Sequence, residues 1–277
     1  MRGLAAPACR RRPPRVLTIA SSDSGGGAGI QADLKSLARC GVHGMSAVVA
    51  LTAQNTLGVT AIHEVPAAFV RAQIDTVLDD IGADAAKTGM LFSAAIVDAV
   101  AEALEPRRLP LVVDPVMVAS SGSRLLRQDA VDVLIRRLFP LATVITPNLP
   151  EAQALTATVT EDRAELAERL VGLGARAVIV TGGHGREPVD HLFDGTTHLD
   201  IPVDRHPAAA THGAGCTHSA ALAAGLAAHL PIAAAARLAA ALASDAVAHG
   251  LTALGGGDGP VHVLHQFQHA TREGSHE

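Results

Sequence analysis

Aromatic side chains are nearly absent from this sequence. Its 277 residues include five Phe and neither Trp nor Tyr. Proteins that bind single-stranded nucleic acids stack the bases on aromatic rings, so we expect no nucleic-acid partner. The formal net charge of −5 also argues against a surface for polyanions. Because 48% of the residues are hydrophobic, the chain can still bury a large core of Ala, Val, Leu and Ile.

Cysteine is scarce as well, and long apolar runs are missing. The three cysteines, Cys9, Cys40 and Cys216, lie far apart and form no Cys-x-x-Cys pair. Free thiols are typical of a reducing compartment, so we predict a cytoplasmic protein. No stretch approaches the ~20 apolar residues of a membrane-spanning helix, and we expect no membrane partner. The basic N-terminus lacks the apolar stretch of a signal peptide.

Strand-like and helix-like segments alternate along most of the chain. Apolar, β-branched runs predict strands at 15–20, 46–51, 85–88, 110–114, 143–146 and 177–181, and a hairpin over 191–203. Periodic Ala- and Leu-rich segments predict helices at 28–40, 66–80, 93–104, 128–138, 150–157, 161–173, 216–229 and 232–249. This alternation favours an α/β fold with a mostly parallel sheet and helices on both faces. We predict a single domain over 15–270, a disordered extension over 1–14 and a flexible tail over 271–277.

A glycine-rich segment, residues 211–217, leads directly into one of these helices. Its glycines allow successive backbone N–H groups to converge at the helix N-terminus, where negative charge on a phosphoryl group is stabilised. Cys216 stands at this helix end, a position that commonly lowers a thiol pKa from about 8.5 to roughly 3.5–7.5. A thiolate there could accept a proton from an attacking hydroxyl. A plain helix start with an inert cysteine fits the same residues equally well.

A second glycine-rich segment covers residues 21–29, between a predicted strand and a predicted helix. Residues 27–32 match the looser Gly-x-Gly-x-x-(Gly/Ala) dinucleotide fingerprint. That fingerprint needs an acidic residue about twenty positions later, but residues 47–60 contain no Asp or Glu. The alternative is a loop that lets a small substrate approach the backbone, with Asp33 offering a carboxylate. No Walker A motif occurs, which excludes a P-loop kinase.

Two further segments offer oxygen ligands for a metal. Asn148 and Glu151 lie three residues apart on a predicted first helical turn, and Asp114 follows a predicted strand. Mg²⁺ binds proteins through few carboxylates and several waters, so these residues could hold it. Taken alone, an ordinary helix start and a turn are the simpler interpretation. The fourteen histidines include no His-Glu-x-x-His motif, and we expect solvated or capping histidines rather than ligands.

Ordered motifs extend over about residues 15–268. They lie at 26–35, 50–56, 87–91, 113–117, 146–152, 182–184, 211–217 and 259–261. Together they resemble the hydroxymethylpyrimidine kinase / phosphomethylpyrimidine kinase family, a branch of the ribokinase-like superfamily. The resemblance implies a three-layer αβα sandwich and a homodimer. It also implies ATP-dependent phosphorylation of 4-amino-5-hydroxymethyl-2-methylpyrimidine and then of its monophosphate, in thiamin diphosphate synthesis.

The resemblance further implies roles for individual residues. Those expected to contact the pyrimidine are Ser21, Gly27, Ala28, Asp33, Gln54, Met90 and Val116. The expected anion hole consists of Gly213, Ala214, Gly215 and Cys216, with Cys216 as the base. Residues expected at the nucleotide are Thr181, Gly183, Thr211 and His212. Asn148, Glu151 and Asp114 are expected to organise Mg²⁺.

Three positions depart from the pattern of this family. Ser21 replaces a usual Gly, Ala214 replaces a usual Thr, and Thr181 stands where a Lys commonly faces the nucleotide phosphates. The absence of that cation predicts weaker phosphate stabilisation. The alternatives are a pyridoxal or pyridoxine kinase on the same fold, a catalytically weak binding protein and, more distantly, an NAD-dependent oxidoreductase.

Overall fold

The computed structural model describes residues 12–118, 125–185, 187–207 and 210–268. Residues 1–11 of the predicted extension (1–14) and all of the predicted tail (271–277) lie outside the described residues. The described strands are β1 Arg15–Ala20, β2 His43–Val48, β3 Ala50–Asn55, β4 Gly58–Glu64, β5 Ala85–Thr88, β6 Leu111–Val113, β7 Val144–Ile145, β8 Val178–Val180, β9 Val189–Phe193 and β10 His198–Pro202. The described α-helices are α1 Gly29–Arg39, α2 Ala67–Asp80, α3 Ala94–Leu104, α4 Gln128–Arg137, α5 Leu149–Thr156, α6 Arg163–Gly172, α7 Ala214–Ala227 and α8 Ile232–Ala248.

Eight of these strands form the central sheet, in the order β10-β9-β8-β7-β6-β5-β1-β2. The pairs from β8 through β7, β6, β5 and β1 to β2 are parallel, and β9 runs antiparallel to both of its neighbours. Strand β2 lies on one side of β1, at the edge of the sheet, and β5 lies on the other side. The strand order therefore reverses its direction at β1. That reversal creates a crevice at the carboxyl ends of β1 and β5, where ligands bind in open α/β sheets.

The two faces of the sheet each pack against a layer of helices. Alternate residues of β1 divide between the faces: Leu17 and Ile19 join the core beneath α2 to α6, and Val16 joins the core beneath α1, α7 and α8. Successive side chains of a strand point to opposite faces, so a strand covered on both sides is apolar throughout. The predicted three-layer α/β architecture is therefore confirmed.

The predicted strand over 46–51 is wrong in its extent. Strand β2 ends at Val48, and the chain then leaves the main sheet to form a separate two-stranded sheet from β3 and β4. The Asn55 side chain accepts hydrogen bonds from the amides of Leu57 and Gly58, at 2.9 and 3.2 Å, and so closes the hairpin turn. This side-chain turn is the local signal for the hairpin.

The helices begin and end within a few residues of the predicted positions. Helix α7 differs at its start, because it begins at Ala214 rather than at Cys216. Nothing in the described helices has the length and apolarity needed to cross a bilayer.

Candidate active site

A cavity of about 930 Å³ opens at the carboxyl ends of the central strands. Its wall is built from the loops that follow β1, β5, β6, β7 and β8 and from the N-terminus of α7. Sixteen of the eighteen residues predicted for the site line it. They are Ser21, Ala28, Gln54, Met90, Asp114, Val116, Asn148, Glu151, Thr181, Gly183, Thr211, His212, Gly213, Ala214, Gly215 and Cys216. Asp33 and Gly27 do not line it.

The start of α7 explains the glycine-rich segment. Gly213 is the N-cap residue with φ of 87°, a left-handed conformation that disfavours any residue with a Cβ. A Cβ at this position would also lie 1.8 Å from the carbonyl oxygen of Gly27. The glycine therefore brings the two glycine-rich loops into direct contact.

The amides of this first turn are not all available to an anion. The Ala214 N–H donates to the Thr211 carbonyl at 3.0 Å, so the prediction that Ala214 belongs to the anion hole is not supported in this conformation. First-turn amides have no acceptor earlier in their own helix, which leaves those of Gly215 and Cys216, with the amide of the N-cap residue Gly213, as candidate donors. Of the four residues predicted for the anion hole, Ala214 is the one whose amide is already bonded.

Asp23 organises the loop that follows β1. Its carboxylate accepts the amides of Gly25, Gly27 and Ala28 at 2.8, 3.0 and 2.8 Å. It also pairs with Nε2 of His212 at 2.9 Å. Burial alone would raise the pKa of Asp23, but the hydrogen bonds from His212 and from the loop amides outweigh burial and lower it. Asp23 was not among the predicted site residues.

Gly27 lies against this same histidine and not against the cavity. A Cβ at Gly27 would meet the His212 ring at 2.4 Å. The predicted contact of Gly27 with a substrate is therefore replaced by a packing role, and the imidazole of His212, although it lines the cavity, is held by Asp23.

Asp33 does not reach the cavity wall. Its side chain is 0% exposed, and its oxygens accept from Thr18 Oγ1 at 2.6 Å and from Lys87 Nζ at 2.9 and 3.0 Å. The predicted direct contact between Asp33 and a pyrimidine is therefore wrong for this conformation. Instead, Asp33 holds the ammonium group of Lys87 from below.

Lys87 is the buried cation of the site. Its Nζ lies 4.0 Å from Asp114 Oδ2, and the residue lines the cavity although it is fully buried. Burial would lower the pKa of Lys87, but the charges of Asp33, Cys216 and Asp114 outweigh it and raise the pKa. Lys87 was known only as part of a sequence motif. Its burial near the end of β5, in the cavity wall, makes it a candidate site residue.

Cys216 faces the cavity from the first turn of α7, but its thiol is not acidified there. Burial is the largest influence and raises its pKa to about 12, with the charges of Asp33 and Asp114 acting in the same direction. The charge of Lys87 and a hydrogen bond from the Gly29 amide oppose this effect without overcoming it. The predicted lowering of the Cys216 pKa is therefore wrong.

The predicted metal residues form two buried groups. Asn148 and Glu151 make a capping box on α5, in which each side chain accepts the backbone amide of the other, at 2.9 and 3.0 Å. Glu151 also accepts the Met117 amide at 3.3 Å. Burial, and then the charge of Asp114, raise the pKa of Glu151 to about 8. Burial likewise raises the pKa of Asp114.

The far side of the cavity contains further polar groups that the sequence did not single out. His218 Nε2 pairs with Asp190 Oδ2 at 2.9 Å, and the other oxygen of Asp190 accepts the Gly182 amide at 2.7 Å. Thr211 donates through both its amide and its hydroxyl to Asp258, each at 2.9 Å. The Gly182 loop that continues from Thr181 is thus fixed by Asp190.

Comparisons with known proteins agree with this geometry. The model of the phosphomethylpyrimidine kinase family matches residues 23–262. The hydroxymethylpyrimidine/phosphomethylpyrimidine kinase of Rhizobium meliloti is 48% identical over 259 residues, which cover 91% of this chain and 97% of that protein. The crystal structure of phosphomethylpyrimidine kinase from Clostridium difficile is 38% identical, with a TM-score of 0.75 over 84% of this chain and 99% of that one. An ADP complex of Bacillus subtilis pyridoxal kinase is 37% identical, with a TM-score of 0.81 over 91% and 97%.

The fold and the cavity thus define a small-molecule kinase of the ribokinase-like class. Within that class the chain belongs to the hydroxymethylpyrimidine/phosphomethylpyrimidine kinase family. The family resemblance seen in the sequence motifs is confirmed, and the interpretation as an NAD-dependent oxidoreductase is wrong.

Proposed function

We propose that this enzyme transfers the γ-phosphoryl group of ATP to the hydroxymethyl group of 4-amino-5-hydroxymethyl-2-methylpyrimidine, and then phosphorylates the resulting monophosphate to give the pyrophosphate used in thiamin synthesis. The observation that carries this proposal is that one cavity contains both the first turn of α7 and the polar and apolar groups suited to a small ring. The names of the related kinases supply the substrate class.

The ring-binding end of the cavity is formed by Gln54, Met90 and Val116, with Ser21 and Ala28 beside them. Gln54 is the side chain that can both donate to and accept from an aminopyrimidine. Its Nε2 lies 3.5 Å from His212 Nε2, and its Oε1 accepts from Thr52 Oγ1 at 3.2 Å. The hydrogen bond from Thr52 orients the Gln54 amide. Met90 and Val116 supply apolar contacts to the faces of the ring.

Cys216 is the proposed proton acceptor. The substrate hydroxyl oxygen forms a bond to the γ-phosphorus, the bond from that phosphorus to the bridging oxygen of ADP breaks, and the hydroxyl proton passes to the sulfur. The amides of Gly215 and Cys216 would donate to the phosphoryl oxygens as charge accumulates on them. Because burial raises the thiol pKa to about 12, Cys216 must first lose its own proton to solvent, and only the resulting thiolate accepts the hydroxyl proton; the charge of Lys87 favours that form.

Thr181, Gly183, Thr211 and His212 lie along the part of the cavity that we assign to the nucleotide. Asp190 fixes the loop that begins at Thr181, and Asp258 fixes Thr211. Thr181 has no charge, so the nucleotide phosphates would depend mainly on backbone donors.

The same cavity offers a place for Mg²⁺. Glu151 is 8% exposed, has no cationic partner among the described residues, and lies close enough to Asp114 for their charges to interact. A divalent cation would remove that repulsion, so these carboxylates fit Mg²⁺, while Asn148 caps α5. When bound, Mg²⁺ would neutralise charge on the transferred phosphoryl group.

The second candidate activity is phosphorylation of pyridoxal, which also has a hydroxymethyl group on a nitrogen ring. It is favoured by the likeness to pyridoxal kinase structures, including one from Staphylococcus aureus with pyridoxal bound. The deciding measurement is ADP release with hydroxymethylpyrimidine, with its monophosphate and with pyridoxal at equal concentrations. We expect both pyrimidines to be faster than pyridoxal. If pyridoxal were the only one of the three compounds to give ADP release, the enzyme would be a pyridoxal kinase and the proposal would be wrong.

We also propose a cytoplasmic homodimer. Among the described residues the β3–β4 sheet has two strands, and Leu51 on β3 and Leu57 in the hairpin turn are 50% and 69% exposed. An isolated hairpin is marginally stable in water, so a second copy of the chain is a suitable cover. Light scattering should give the mass of two chains, and Leu51→Glu with Leu57→Glu should give the mass of one. Two free thiols among the described cysteines, Cys40 and Cys216, suit a reducing compartment.

A further inference from the structure

A cluster of histidine and aspartate side chains lies at the carboxyl end of α8, outside the kinase cavity. Asp245 and His249 are four residues apart and therefore share one face of that helix. His265 comes from the short 3-10 helix near the end of the described chain. Their ligand atoms all lie within 4.8 Å of one another.

The contacts in this cluster are those of a site that could close around a metal. His265 Nε2 lies 2.8 Å from Asp245 Oδ2, and His249 Nδ1 lies 3.4 Å from Asp245 Oδ1. The rings of His249 and His265 are stacked with centroids 3.7 Å apart. Tetrahedral Zn²⁺ with bonds of about 2.0–2.1 Å needs its ligand atoms about 3.4 Å apart. Binding would require the two rings to rotate out of this parallel stack and His249 Nδ1 to leave the Asp245 carbonyl oxygen, 2.9 Å away.

We propose that Asp245, His249 and His265 form a Zn²⁺ site. Two imidazoles and one carboxylate are a donor set that suits Zn²⁺ better than Mg²⁺ or Ca²⁺, which prefer oxygen ligands. The fourth position is open to water or to His262, whose ring centroid is 6.1 Å from that of His265.

Arg39 is a positively charged neighbour of the cluster, and its charge would repel a bound cation. Its Nη2 donates to Asp245 Oδ2 at 2.7 Å, and its Nη1 donates to the Val263 carbonyl at 3.1 Å. Arg39 and His265 both contact Oδ2, so a metal would bind Oδ1, and His265 would exchange its contact with Oδ2 for the metal. Ligating carboxylates commonly accept such outer hydrogen bonds, which orient them.

The position of this cluster gives the metal a mechanical role. The amide of His262 donates to the Ala246 carbonyl, and the amide of Val261 donates to the His212 carbonyl, at 2.9 and 3.0 Å. The segment that provides His265 therefore connects α8 to the residue that precedes Gly213. A metal that joins His265 to α8 would stabilise the fold without touching the kinase substrates.

The test uses the untagged full chain, freed of metal by a chelator and titrated with ZnCl₂ against a chromophoric chelator. We expect one Zn²⁺ per chain with a dissociation constant in the micromolar range or below, and a rise in Tm of about 5 °C at 100-fold excess over that constant. His265→Gln and His249→Gln should each weaken binding at least about tenfold. The matched control is His63→Gln, an exposed histidine on β4, which should leave Zn²⁺ affinity unchanged.

A second measurement keeps the proposal open to refutation should a variant unfold. In the wild-type chain, Zn²⁺ should protect His249 and His265 from acylation by diethylpyrocarbonate, as measured by mass spectrometry, while His63 is acylated at the same rate with and without the metal. The proposal would be wrong if the two histidines were acylated equally with and without Zn²⁺, or if all variants had the same Zn²⁺ affinity. Asp245, His249 and His265 would then form an ion-pair cluster and no metal site. Binding that is lost in Cys216→Ala instead would place the metal in the kinase cavity and overturn the proposal.

Discussion

At the scale of single residues, the site is dominated by buried charges that lie close together. Lys87 contacts Asp33 directly and lies 4.0 Å from Asp114, and the charge of Asp114 in turn influences Glu151. Removing one partner from a buried ion pair commonly costs about 3–5 kcal/mol, because it leaves an uncompensated charge. Asp33 therefore fixes the position of Lys87, and we expect its substitution to disturb folding as well as activity.

Cys216→Ala should lower turnover by roughly 10²–10⁴-fold, the range for loss of a positioned proton acceptor. The KM for the pyrimidine should change little, because the ring is held at the other end of the cavity. Steady-state kinetics with hydroxymethylpyrimidine test this. Cys40→Ala is the matched control, since Cys40 belongs to the C-terminal end of α1, and it should retain full turnover. Undiminished turnover of Cys216→Ala would remove the thiol from the mechanism.

The raised pKa of Cys216 predicts an unusual pH dependence of its alkylation. Because the pKa is about 12 and only the thiolate reacts, the rate with iodoacetamide should rise about tenfold per pH unit between pH 7 and 10. Mass spectrometry of the peptide that contains Cys216 measures this rate separately from that of the other cysteines. A plateau near pH 7.5 would instead show that the helix end and Lys87 acidify the thiol.

Glu151→Gln should stabilise the metal-free protein at pH 8. The pKa of Glu151 is raised from 4.5 to about 8 in the folded state. Stability from its protonated form is therefore complete below pH 4.5 and is lost as the pH rises through 8. Glutamine keeps the acceptor of the capping box without the charge but cannot also accept the Met117 amide, so the free energy of unfolding at pH 8 should rise by about 1–3 kcal/mol.

Urea unfolding of Glu151→Gln at pH 5 and pH 8 tests this sign, since the difference from wild type should be small at pH 5. Millimolar Mg²⁺ should stabilise the wild-type protein at pH 8 and leave Glu151→Gln nearly unchanged. Equal effects of Mg²⁺ on both proteins would argue against a metal role for Glu151.

At the scale of secondary-structure elements, the start of α7 is the most constrained junction in the site. Gly213→Ala forces a Cβ into a left-handed conformation and to within 1.8 Å of the Gly27 carbonyl oxygen. We expect a loss of about 3 kcal/mol or more in the free energy of unfolding, measured in urea. Gly215→Ala is the matched control, because a Cβ there meets nothing within 4 Å. It should be neutral or stabilise the helix by about 0.5–1 kcal/mol.

The elements themselves could largely be predicted from the sequence, because apolar runs and helical periodicity report burial directly. The exception is the region around Val49. Strands β2 and β3 are separated by Val49 alone, so the apolar run continues across the point where the chain leaves one sheet for another. Periodicity reports that a residue is extended and buried but not which partner strand it pairs with, so the β3–β4 hairpin was missed.

At the scale of the whole molecule, sequence order brought most of the predicted site residues to one edge of the sheet. Most of the predicted residues line one cavity because the carboxyl ends of parallel strands meet there. The roles of Asp33, Lys87 and Asp23 could not be predicted from spacing, since they depend on which side chains meet across the crevice between β1 and β5. The pKa of Cys216 was mispredicted for the same reason, because burial and two carboxylates outweigh the local helix end.

The contact between Gly27 and Gly213 has a consequence for the order of events in the catalytic cycle. The loop at the proposed pyrimidine end of the cavity and the turn proposed to receive the phosphate meet through backbone atoms with no side chain between them. Neither can shift without displacing the other. Occupation of one half of the cavity should therefore prepare the other half, so that each substrate binds more tightly when its co-substrate is already in place.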